Sequence, residues 1–260
     1  MAAASASRKA DPSAPGKAVS QTTRALLTLR DLVLEGTLKQ GERVSELQLV
    51  DLLGVSRTPV RAALLRLQEE GLLEALPSGG YAVRTFSERE VFEAVEIRGT
   101  LEGLAARLAA ERGVTAAELD ALGICLDALD DTVSGPELTE ARLDRYIELN
   151  AQFHALLVRA AGSQTLVREV ERASALPFAS PSALLQVQAS ASEAHHRLTI
   201  AQDQHRSVVN AIERREGARA EALMREHARL THRNLERAFA NQRILALMPG
   251  AKLIKPRPID

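Results

Sequence analysis

One stretch constrains the fold more than any other: Gly54-Val55-Ser56-Arg57-Thr58-Pro59-Val60-Arg61-Ala62-Ala63-Leu64-Leu65-Arg66-Leu67-Gln68-Glu69-Glu70-Gly71-Leu72-Leu73. Ser56 is a residue type that caps helix N-termini, Pro59 falls in the first turn where a missing N–H costs little, and Gly71 is placed to end the helix. At about 100° per residue, Val60, Leu64 and Leu67 share one apolar stripe that demands burial. Arg57, Thr58 and Arg61 lie on another face, near the start. Two arginines and a hydroxyl at the exposed start of a short helix suit phosphates and guanine edges in a major groove. Taken alone, they suit a surface helix with solvated arginines equally well.

The flanks decide between these readings. Upstream, Thr22–Glu35 carries Leu26, Leu29 and Val33 at helical spacing, and Gly36 stops it. A polar turn follows, then a short helix Glu46–Leu53 behind a Ser45 cap; Gly54-Val55-Ser56 turns the chain into the arginine helix. Two short helices joined by such a turn form a helix-turn-helix. Downstream, Leu72–Leu76, Pro77-Ser78-Gly79-Gly80 and Tyr81–Arg84 read as strand, turn and strand, a β-hairpin wing. Residues 21–87 therefore predict a winged helix-turn-helix domain.

From Glu88 onward only helical patterns occur: Glu88–Arg112, Thr115–Thr132, Glu137–Ala161, Gln164–Ala173, Ala183–Gln188, Glu193–Glu213 and Ala218–Ala240. The predicted fold class is mostly α, with an all-α bundle of six or seven helices over residues 88–247 behind the winged domain. Residues 1–20 lack periodicity and are expected to be a disordered tail, and 248–260, with three prolines, a loose one.

Composition narrows the partners. The net charge of −1 argues against indiscriminate nucleic-acid binding but permits a local DNA-reading surface, and 3% aromatic residues without Trp make single-strand stacking a poor fit. No apolar run approaches the roughly 18 residues that span a bilayer, so no membrane association is expected. The one cysteine, Cys125, fits a reducing cytoplasm and reads as a small core residue.

These residues resemble the GntR family of bacterial transcription regulators, in particular the FadR-type branch whose effector domain is called FCD. The stretch from Gly54 to Leu64, with Leu67, Glu70-Gly71-Leu72 and the upstream Gly41-Glu42-Arg43-Val44-Ser45-Glu46, carries the likeness. The resemblance implies that Ser56, Arg57, Thr58 and Arg61 contact double-stranded operator DNA, with Gly79 and Gly80 at the wing tip. Arg66, well round the helix, reads as a phosphate contact or a solvated residue. Leu47 stands where some members place a DNA-contacting Arg. The family also implies a homodimer on a palindromic site.

Asn150 and His154, four apart, share a helix face; His205 and His227 lie on the last two long helices. Read alone, scattered histidines are more often surface or satisfied core groups. The resemblance implies that they hold a divalent metal, Zn or Ni suiting three imidazoles, with Asn150 in place of an expected Asp. An open coordination position would take a small carboxylate effector. Arg98 either pairs with that acid or forms a surface ion pair with Glu102. His195, His196 and His232 are expected off the site, and Asp127, Asp130 and Asp131 solvated. The leading function is a ligand-responsive transcription regulator, a repressor released by a small organic acid, with no catalytic residue. The alternatives are a metal-dependent hydrolase on the bundle and an effector-free dimeric DNA-binding protein.

Overall fold

Helix α1, Gln21–Leu34, starts behind Ser20, whose hydroxyl accepts from the Thr23 amide, and buries Ala25, Leu29 and Val33. The structure is a computed structural model and describes residues 20–135, 137–185 and 194–255. After α1 come β1 (Arg43–Val44), α2 (Glu46–Leu53), α3 (Arg57–Glu69), β2 (Leu73–Ala75) and β3 (Tyr81–Val83). The strands form an antiparallel sheet in the order β1-β3-β2, so β3 is central and the β2–β3 hairpin is the wing. Val60, Leu64 and Leu67 of α3 are fully buried against α1, as their stripe requires. Ser56 and Ser45 occupy the N-cap positions of α3 and α2, but neither hydroxyl makes a capping hydrogen bond.

The second region holds α4 (Glu88–Arg112), α5 (Ala116–Val133), α6 (Glu140–Ala160), α7 (Gln164–Ala173), α8 (Ala194–Glu213), α9 (Gly217–Phe239) and the short α10 (Gln242–Ala246). Capping boxes start α4 and α5: Ser87 with Glu90, and Thr115 with Glu118. Helices α4 and α9 approach closely at Gly99, where an added Cβ would stand 2.4 Å from the Ala228 Cβ. That approach brings the buried face of α4 against His227, the neighbour of Ala228. Cys125 is buried as expected, its thiol touching the Leu149 carbonyl and its pKa pushed up by burial.

Three expectations need correction. Residues 248–255 are not a loose tail: Met248, Leu253 and Ile254 are buried in the core of the winged domain. A 3₁₀ turn, Ala251–Leu253, leads into a parallel bridge in which Phe86 N–H donates to Leu253 O and Lys255 N–H donates to Phe86 O. Apolar side chains that the winged domain and the connector enclose outweigh the local signal of the prolines. Asp127 and Asp130 are not simply solvated, because Arg206 spans both. The sequence reading also lacked a strand: directly after the polar turn, Arg43–Val44 forms β1, which pairs with β3. The expected tail up to residue 19, the helix beyond residue 185 and residues 256–260 lie outside the described residues.

The connector after α7 belongs to both regions. Phe178, Ala179 and Leu184 join the core of the winged domain, and Phe178 meets Phe86 edge-on at 5.0 Å. This cluster thus draws side chains from both regions, while the bundle keeps two clusters of its own, one around Tyr146 and Phe153 and one around Ala105 and Val158.

Candidate functional site

Arg57, Thr58 and Arg61 are all exposed on the first turns of α3, and Ser56 beside them keeps its hydroxyl free of the cap. Arg61 makes one loose ion pair with Glu46 at 3.7 Å, which sets the N-terminus of α2 next to the arginines. Leu47, 56% exposed, lies beside Glu46 on the first turn of α2. Gly79 and Gly80 are exposed at the wing tip, where Arg43 donates to the Gly79 carbonyl at 2.9 Å. Sequence reasoning missed Arg43, because a two-residue strand leaves no periodic signal. Arg66 does not join this surface freely: it pairs with Glu69 and Glu70 at the far end of α3, and Arg30 also binds Glu70.

The bundle holds a second cluster. His154 on α6, His205 on α8 and His227 on α9 are buried, with one nitrogen of each ring within 4.8 Å of the others. Each ring is oriented by a partner on its Nδ1. His154 Nδ1 lies 3.0 Å from Glu102 Oε1, His205 Nδ1 3.1 Å from Gln202 Oε1, and His227 Nδ1 3.2 Å from Gln204 Oε1. Gln202 cannot be turned round, since its Nε2 already donates to Leu126 O and Asp130 Oδ1. An ionised carboxylate only accepts, so His154 must carry its proton on Nδ1; His205 must do the same toward the Gln202 oxygen.

The consequence falls on the Nε2 atoms. His205 and His227 bring theirs to 3.1 Å of each other, and His154 Nε2 is buried without a hydrogen-bond partner. Burial first, then the neighbouring imidazoles, holds the His205 pKa well below its usual value; burial, then His154, lowers that of His227 to about 3. Nδ1 protons on His154 and His205 therefore leave their Nε2 lone pairs directed to the place where the His227 Nε2 also arrives. The short contact between His205 and His227 takes a proton or a metal cation between the two nitrogens, and imidazoles fixed by outer partners are the usual surroundings of a bound metal. The residues fit a divalent metal. Asn150 is buried beside them; its Nδ2 donates to Ser182 Oγ at 3.2 Å, and no described residue donates to its Oδ1.

Glu102 is a functional residue that the sequence reading named only as a surface partner of Arg98, one of two alternatives. Glu102 and Arg98 do pair, at 3.3 Å, but both are buried, at 0% and 1% exposure, rather than on the surface. Burial alone would raise the Glu102 pKa; Arg98, then His154, overcome it and hold the carboxyl at about 2. Arg98 thus serves the ion pair behind His154. Of the remaining histidines, His195 binds the Val133 carbonyl at 2.8 Å and His232 packs on Phe92, off the cluster as expected. His196 is exposed at the mouth of a cavity that reaches His227.

A winged helix-turn-helix whose core draws side chains from a helical bundle with converging buried imidazoles defines a class: a DNA-binding regulator with a sensing domain. Comparison with known proteins agrees. Residues 21–83 match the bacterial regulatory proteins of the gntR family, and residues 93–230 match the FCD domain. The chain belongs to the GntR family and carries an FCD domain, as the sequence resemblance implied.

Among its relatives, the uncharacterized HTH-type transcriptional regulator YdhC of Bacillus subtilis is 37% identical over 50% of this chain and 56% of its own length. The probable D-xylose utilization operon transcriptional repressor of Paenarthrobacter nicotinovorans is 35% identical over 60% of this chain and 67% of its own. The chain therefore spans little more than half of the first relative and two thirds of the second. The structure of E. coli McbR/YncC shares the fold at a TM-score of 0.59 and 22% identity, over 85% of this chain and 99% of that one. These are relatives among transcription regulators, not enzymes, and the hydrolase alternative has no support. Among the described residues no helix is long and apolar enough to cross a membrane.

Proposed function

We propose that the protein is a cytoplasmic homodimeric repressor that binds a palindromic operator through α3 and releases it when a small carboxylate occupies the bundle. The observation that carries the sensing half is the convergence of three buried imidazole nitrogens. His154, His205 and His227 would hold a divalent metal of the Zn or Ni kind, with Asn150 Oδ1 or a water beside them. Such an ion supplies a Lewis-acidic point for an acid group in a dry site. Glu102 and Gln202 keep His154 and His205 in the tautomer that presents Nε2, and Arg98 compensates the buried charge of Glu102.

The DNA half rests on Ser56, Arg57, Thr58 and Arg61, exposed together on one end of α3, with the wing tip and Arg43 beside phosphates. Among the relatives, the Paenarthrobacter protein is called a repressor and the Glc operon regulator of E. coli an activator; repression is the sense tested below. Coupling follows from the connector: Pro181 and Leu184 line the cavity, while Phe178 and Leu184 sit in the winged-domain core near Phe86. A ligand that shifts the connector shifts the seat of the winged domain, and so the spacing of two recognition helices.

The test is selection of bound duplexes from a randomised pool by the full-length protein, then titration of the winner with organic acids. A palindromic winner whose affinity falls when an acid is added supports the reading. Arg61→Ala should weaken that specific complex by roughly one to two orders of magnitude while leaving helical content unchanged. Unaltered affinity in that variant would remove α3 from the interface, and indifference to every acid and metal would favour the effector-free alternative.

A further inference from the structure

Two cavities reach the histidine cluster, and Pro181 lines both. The smaller, about 180 Å³, is lined by Val158, Val167 and Val170 and ends on the Glu102 carboxylate, with Glu171 at its edge. Arg159 also lines it beside those two carboxylates, so this cavity offers an anion a single guanidinium and no cluster of cations. The larger, about 290 Å³, runs between α8 and α9 from Asn150 and His227 outward. No Asp or Glu is among its described lining residues.

This larger cavity has two unlike ends and a middle in which leucines alternate with Thr231, Asn234 and the Tyr146 hydroxyl. The inner end is Asn150 and His227. The walls between are Tyr146, Leu184, Leu198 and Leu230, and the outer end carries Arg197, Arg233 and Arg237. Residues 227, 230, 234 and 237 recur at helical spacing, so one stripe of α9 forms the whole length of the wall. At 1.5 Å per residue, Arg233 stands ~9 Å and Arg237 ~15 Å along the axis from His227. Helical side chains lean toward the N-terminus, which brings the guanidinium groups back over the cavity. Arg233 is held by Glu226 at 2.9 Å, whereas no described ion pair engages Arg237.

We propose that the effector is an elongated dianion. One carboxylate lies at the histidine end, a second anionic group lies at Arg233 and Arg237, and an apolar spacer passes between Leu198 and Leu230. This rests on the carboxylate-effector reading above and adds the second charge and the length. A short monoanion would fill only the inner end and leave the cationic mouth unused. Guanidinium groups pair with carboxylates through two parallel hydrogen bonds, which makes the outer end selective for a planar acid group as well as for charge.

The experiment is calorimetric titration of full-length, Zn-loaded protein with linear α,ω-dicarboxylates of increasing length, each beside the monocarboxylate of equal carbon number. The expected result is an affinity maximum at one chain length, where the dicarboxylate binds about tenfold or more tighter than its partner. Arg237→Gln, and Arg233→Gln with it, should erase that advantage while leaving monocarboxylate affinity unchanged. Equal binding of the two series at every length, or an advantage that survives in the double variant, overturns the dianion proposal alone. Failure of both series to bind overturns the carboxylate-effector reading itself, and this inference with it.

Discussion

Replacing Glu102 by Gln probes the buried cluster at its least replaceable point. In the native protein a carboxylate without solvent exposure faces Arg98 at 3.3 Å and His154 Nδ1 at 3.0 Å. Glutamine keeps the shape but removes the charge, so Arg98 becomes an uncompensated buried cation; breaking a buried pair this way costs about 3–5 kcal/mol. At roughly 2–4 °C per kcal/mol for a chain of this size, the melting temperature should fall by about 6–20 °C. The amide also faces two donors with only one acceptor. If its oxygen serves Arg98, its NH₂ group faces His154 and forces the proton onto Nε2, into the centre of the three rings. Metal affinity should then drop by roughly 10–100-fold. Thermal unfolding and zinc titration of wild type, E102Q and the double variant E102Q/R98M measure both effects. The double variant should recover much of the stability, since the stranded charge is gone, but not the metal affinity. An E102Q protein that melts and binds zinc like wild type would refute the account of the cluster.

Two further predictions concern stability. In metal-free protein, His205 and His227 are folded with pKa values below the unfolded value, His227 at about 3. The unfolded chain therefore binds more protons below roughly pH 6.5, so stability is complete above that value and declines as pH falls toward 3. Glu102, at about 2, acts in the same direction from roughly pH 4.5 downward. Urea midpoints that stay level across this window would contradict the assigned burial. Second, Gly250 has φ +76° and an added Cβ would stand 2.5 Å from Pro177 Cγ. Gly250→Ala should cost about 1–3 kcal/mol and release the C-terminal segment from Phe86, seen as faster hydrogen exchange at the Phe86 and Lys255 amides.

The ease of reading differed along the chain for physical reasons. Helices with a clear apolar stripe and a cap, such as Glu88–Arg112 and Gln164–Ala173, were legible to the residue, because local periodicity and burial agree there. The recognition helix was equally plain. What remained hidden depends on distant packing. The strand β1 is too short to show alternation. The segment 248–255 has the prolines of a loose tail, yet Met248, Leu253 and Ile254 find a core that only the assembled winged domain and connector provide. Arg98 and Glu102, four apart, have the spacing of an ordinary surface pair. Their burial follows from α6, α8 and α9 closing over them. The one local signal was the glycine after each, since Gly99 and Gly103 both lie where an added Cβ would collide with α9. The histidine cluster was assembled from family resemblance, and its partners Gln202 and Gln204 were not foreseen, because tautomers are set by contacts rather than by spacing.

The measurement that bears most directly on the central claim is the metal content of untagged protein, followed by zinc titration of the chelator-stripped chain during thermal unfolding. Three converging imidazole nitrogens predict about one divalent ion per chain as purified, and a melting temperature that rises with zinc in the stripped protein. A protein that carries no metal and whose melting ignores added zinc or nickel would contradict the claim, and the convergence of His154, His205 and His227 would then need another cause.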